Sequence, residues 1–200
     1  MKLLLLLFTT SNCNNNPIPD KNKYILGISS LWILTILRNS LILMYPFISF
    51  IIISISIISP LFWYKYQLNS LLHKLDKYLV WTIAIINFKY ALIKLYISTT
   101  IILLSLIVLF YYLSDLFIIN KKFKYQLISH LLFRYIFFIW IYLTFYNTLS
   151  NLFLITLGYI YHNYYLYISF NKNNYLLNLI KLIFIICLYL KNDYYIKDIN

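Results

Sequence analysis

From Tyr24 to Leu190 the chain is a succession of long apolar runs separated by short polar breaks, and nothing else in it limits folding so strongly. Runs of up to ~25 residues suit helices that rise ~1.5 Å per residue across a hydrocarbon core ~30 Å thick. A membrane β-barrel would instead need short segments alternating apolar and polar side chains, a pattern this sequence does not follow. The runs delimit candidate spans at 24–37, 41–64, 78–93, 95–119, 127–147, 149–170 and 175–190. The first and third are short, roughly 21–24 Å if helical. Lys89 in the third also fits a re-entrant or interfacial segment, and a division near Pro46 would put Arg38 inside the first span. The expected fold is therefore all-α, a polytopic transmembrane helix bundle of six or seven spans. A polar segment over 1–23 precedes the transmembrane domain at 24–190, and a polar tail covers 191–200.

Composition agrees. The 200 residues are 62% hydrophobic and 11% charged, with a mean hydropathy of +0.77, against about 25% charged in a soluble domain. A soluble chain of this size leaves roughly a third of its unfolded surface exposed, too much to hide this apolar load from water. The net charge is +12, from 17 Lys and Arg against 5 Asp. The lysines fall between apolar runs, where cytoplasmic loops and anionic lipid head groups favour them. Membrane lipids are thus the expected partners. Nucleic acid is not, because no continuous basic face or known motif is present. With seven spans, one side collects Lys2, Lys21, Lys23, Lys65, Lys74, Lys77, Lys121, Lys122, Lys124 and Lys172, and the other Arg38, Lys94, Lys191 and Lys197. Cation excess marks the cytoplasm, which predicts a cytoplasmic N-terminus.

Tyr, Asn, Lys, Ile and Phe share A/T-rich codons, and that bias accounts for 22 tyrosines better than an aromatic binding surface does. Tyr45, Trp63, Tyr64, Trp81, Tyr146 and Tyr175 lie near span ends, where amphipathic rings prefer the head-group level, while Trp32 and Trp140 sit deeper. Cys13 and Cys187 form no disulfide framework or metal spacing. The opening apolar stretch Leu3–Phe8 is shorter than the ~7–15 residues of a signal core and is expected to stay uncleaved. Gly27 and Gly158 make no GxxxG seam. Ser49, Ser54, Ser56 and Ser59 share one span and are expected to bond preceding-turn carbonyls.

A membrane interior penalises ionisable groups, so each one inside it has a structural or a functional reason. In Asn69–Lys77, helical spacing would put His73, Asp76 and Lys77 on one face. A carboxylate beside an imidazole serves a metal shell or a proton relay, and equally a solvated connector with an ion pair. His130 and Arg134 lie one turn apart, with Arg134 placed to snorkel or to pair with Asp76 or Asp115. His162 and Asn163 are expected to bond across helices. With Asn178 and Lys181 they are the best candidates for a polar transport lining. No Glu, Walker loop, nucleophile elbow, HExxH or Cys-rich metal site occurs. No catalytic residue, metal site or cofactor is therefore assigned.

Ser59-Pro-Leu-Phe-Trp63, His73-Lys-Leu-Asp76 and Ser129-His130-Leu-Leu-Phe-Arg134 together resemble the alkaline ceramidase and adiponectin/progestin-receptor superfamily. Those seven-helix proteins carry a serine followed four residues on by a histidine, then an aspartate, then HxxxH, and their histidines hold zinc for lipid amide hydrolysis. The resemblance implies that Ser59, Asp76 and His130 occupy family positions. Trp63 and Arg134 stand where zinc histidines belong, so it implies a scaffold that has lost its metal, since a catalytic zinc takes three protein ligands. The expected function is that of a multi-pass membrane protein acting through lipid or protein contacts. A zinc-dependent lipid amide hydrolase and a small-solute transporter or channel are the alternatives.

Overall fold

A computed structural model describes residues 18–36, 46–66, 70–146, 149–170, 177–178 and 180–186. Every regular element among them is helical. In chain order these are α1 (Asp20–Ser29), which continues as a 3-10 helix (Ser30–Ile36), α2 (Pro46–Lys65), α3 (Leu71–Lys94), α4 (Ile97–Ile119), α5 (Phe123–Tyr146) and α6 (Leu149–Ile168). Residues 180–186 are also helical. Three helices are long and apolar enough to cross a membrane: α2, α4, and α5 over Phe123–Phe145. The polar segment 1–23 (apart from 18–23), Arg38, Tyr45, both cysteines, Tyr175 and the tail 191–200 lie outside the described residues.

The first element shows how sequence sets winding. The hydroxyls of Ser29, Ser30 and Thr35 donate to the carbonyls of Leu26, Gly27 and Trp32, each three residues back, at 3.0, 2.6 and 2.7 Å. That reach suits the tighter 3-10 turn. The winding also lengthens the element: ten α residues and seven 3-10 residues rise about 29 Å, close to a hydrocarbon core. That length includes the polar residues Asp20–Lys23; the described apolar part, Tyr24–Ile36, rises about 23 Å, short of a full crossing.

The third element also extends beyond its apolar run. Ser70 caps α3 by accepting the His73 N–H at 3.2 Å, so the helix starts at Leu71 and not near Tyr78. Residues 71–77 are its first two turns and no solvated connector. At 24 residues α3 is continuous through the exposed Lys89, with no re-entrant break. Helix α4 stops differently. Lys121 takes φ 56°, Lys121 N–H donates to Ile118 O at 3.0 Å and Lys122 N–H to Phe117 O at 2.9 Å. That paired pattern closes the last turn and sends α5 back alongside α4.

Contacts between helices fix the directions. Asn22 Nδ2 donates to Phe123 O and Gln126 Oε1, so α1 and α5 start together. Lys21 lies 3.7 Å over the Tyr167 ring at the end of α6, and Lys23 is 5.9 Å from the ring of Tyr66, just beyond α2. Phe62 meets His73, and Phe117 meets Tyr125. The starts of α1, α3 and α5 therefore share one end of the bundle with the ends of α2, α4 and α6. Lys65, Lys74, Lys121, Lys122 and Lys124 lie at that same end, whereas Lys94 sits at the other, beside Phe145. The core is built on α2, α5 and the α1 segment. Helix α4 packs mainly on α5 and leaves Ile101, Ile102, Leu109 and Tyr112 exposed.

Candidate functional site

A cavity of about 230 Å³ lies between the α1 segment, α2, α3, α4 and α5, with Tyr159 of α6 at its edge. It occupies the lysine-rich half of the bundle. The tryptophans of the chain, Trp32, Trp63, Trp81 and Trp140, all line it. Trp63 is buried and edge-on to His130, with ring centroids 5.0 Å apart. Trp63 and Trp81 thus face inwards and are not the interfacial anchors their positions near span ends implied. Tyr64 does fit that role, being exposed.

Five residues singled out in the sequence, Ser59, His73, Asp76, His130 and Arg134, border this one cavity. Arg134 is its hub. Its Nη1 donates to Leu26 O and, at 2.7 Å, to Ser29 Oγ, while Nη2 donates to Ser59 Oγ at 3.4 Å. Its guanidinium carbon also lies 5.4 Å from the Trp63 ring. The Leu26 carbonyl, which also accepts from the Ser29 hydroxyl, lies close to where the α-helix gives way to the 3-10 turn. Arg134 neither snorkels nor pairs with a carboxylate: among the described residues the ion pair within 4 Å is Lys23–Asp20.

Pro60 has no N–H to bond the Ser56 carbonyl within α2, yet the helix continues through it to Lys65. Ser54 and Ser56 do bond Phe50 and Ile52 carbonyls, each at 2.8 Å, as their spacing implied. Ser59 instead accepts from Arg134 and borders the cavity with Asp76. Asp76 lies on the first turns of α3, ahead of its apolar stretch. Oxygen Oδ1 of Asp76 is buried with no hydrogen-bond partner among the described residues.

His73 stacks on Phe62 at 4.9 Å, and Lys77 of α3 and Asp115 of α4 border the same cavity. His130 Nδ1 lies 3.1 Å from Ser114 Oγ. These residues do not fit a zinc site. Among the described residues no three His, Cys, Asp or Glu side chains group as metal ligands. Trp63 and Arg134 crowd the face of the cavity where His130 would need two more donors.

The second polar group is not gathered here. His162 packs against Trp32 at 6.1 Å, and Asn163 Nδ2 donates back to Tyr159 O at 2.8 Å within its own helix. Asn178 Nδ2 crosses to Tyr24 Oη, while Lys181 is exposed. None of the four borders the cavity. Ser29, Lys77, Ser114, Asp115 and Tyr159 do; the sequence marks Lys77 only as sharing a face with His73 and Asp76, and Asp115 only as a partner for Arg134, and does not mark the other three. Asp115 carried a readable signal, since it is a carboxylate inside the apolar run 95–119. Ser29 and Tyr159 carried none, because serine and tyrosine are everywhere in this chain.

No protein-family model matches this sequence, and no curated protein or solved structure is detectably similar to it.

Proposed function

We propose that the chain is a multi-pass membrane protein whose cavity binds the head of a membrane amphiphile, with no chemistry of its own. The observation that carries this reading is the mixed content of one enclosed space. Aromatic walls surround Asp76, Lys77, Asp115, His130 and Arg134 in a chain that is only 11% charged. Placing ionisable groups inside a membrane bundle is costly and marks sites of use. A cavity of about 230 Å³ exceeds the ~150 Å³ that admits benzene and falls below the ~300–1,000 Å³ of sites enclosing a drug-sized molecule. A head group fits it, with the tail left in lipid.

In this reading α1 with its 3-10 extension, α2, α3, α4, α5 and α6 are six spans, and the helix around 180–186 belongs to a seventh. The cation-rich end faces the cytoplasm with the N-terminus. The test is native mass spectrometry of the protein purified in mild detergent. It is expected to retain one amphiphile per chain, and Ala84→Phe, which fills the cavity wall, is expected to release it. Equal retention by Ala84→Phe would refute binding in the cavity.

A further inference from the structure

The polar groups of the cavity are not equally engaged. The Arg134 guanidinium is turned to Leu26, Ser29 and Ser59, and an incoming anion would have to draw it off three partners. The Lys77 charge is set against Asp115. With both histidines neutral the charges sum to zero: Asp76 and Asp115 against Lys77 and Arg134. What is left unmet is an acceptor. Among the described residues Asp76 Oδ1 is buried without a partner, although a carboxylate takes about four hydrogen bonds when fully served. Trp63 and Trp140 line the same cavity. The rings themselves present faces that attract a cation once water is excluded.

Resting on the amphiphile-binding reading, we propose that the cavity is a site for a primary ammonium group, seated on Asp76 Oδ1 and walled by tryptophan. The ammonium supplies the charged donor that Asp76 lacks, and the pair so formed is a charge-assisted hydrogen bond in a dry site. A carboxylate or phosphate ligand would face Asp76 without a proton between them. A plain alcohol can also donate to Oδ1, but through a weaker hydrogen bond that is not charge-assisted on the donor side.

The tryptophans make the site report on itself, because all four line the cavity. Purified protein in maltoside micelles, which hold no amine, is titrated at neutral pH with hexylammonium, hexanol and hexanoate while intrinsic fluorescence is read. A saturable response to hexylammonium is expected, about tenfold tighter than to either other probe, and weakened about tenfold in Asp76→Asn. Equal binding of hexanol or hexanoate overturns the ammonium assignment while leaving the amphiphile reading intact. Saturable binding by none of the three overturns both. Undiminished hexylammonium binding by Asp76→Asn overturns the seat on Asp76, and the comparison of probes on the native chain stands even if that variant does not fold. Adding phosphatidylethanolamine identifies the source. Displacement of hexylammonium makes the natural ligand a lipid head, and its absence makes it a soluble amine.

Discussion

Arg134 joins three helices through hydrogen bonds that no smaller cation could make together. Truncation takes the guanidinium donor away from the Leu26 carbonyl and the Ser29 and Ser59 oxygens and removes the positive charge near Asp76. Arg134→Met is expected to cost about 3 kcal/mol, read as a large fall in the thermal midpoint in detergent. Arg134→Lys should recover less than half of that, because an ammonium lacks the planar fork. A midpoint within a degree of the native protein for Arg134→Met contradicts the hub.

At the scale of helices, hydropathy located the apolar stretches well and their ends poorly. The run at 95–119 became α4 at Ile97–Ile119 almost unchanged, because no proline or glycine breaks it. The run at 78–93 hid two further turns, since His73, Asp76 and Lys77 read as a connector until Ser70 capped them into α3. The 3-10 segment was equally hidden, depending on three hydroxyls bonding three residues back. The same logic explains the candidate site. Charged residues in apolar surroundings stood out, whereas Ser29 and Tyr159 did not. Burial of Trp63 followed from packing that no periodicity shows. The helix directions lead to a topology prediction. Cysteines substituted for Lys23 and Lys122 in intact microsomes should react with an impermeant maleimide from the same side, and one substituted for Lys94 from the other. Labelling of Lys23→Cys and Lys122→Cys from opposite sides contradicts the parallel start of α1 and α5.

For the whole molecule, the competing account is a zinc hydrolase built on the same helices. Its water would need a metal to lower the pKa from ~15.7 towards ~7, and His130 faces Trp63 and Arg134 where further ligands would have to stand. Elemental analysis of the detergent-purified chain is expected to find far less than one zinc per molecule. Near-stoichiometric zinc that disappears in His130→Ala would promote the hydrolase. The binding account has its own direct test, which is where a bound amphiphile touches the chain. A diazirine-bearing alkylamine, photolysed on the purified protein and mapped by peptide mass spectrometry, should label α3 around Asp76–Ala84 and α5 around His130–Phe137, and lose those labels in Ala84→Phe. Labels confined to outward residues such as Ile101, Leu109 and Phe153, unchanged by that substitution, would contradict it.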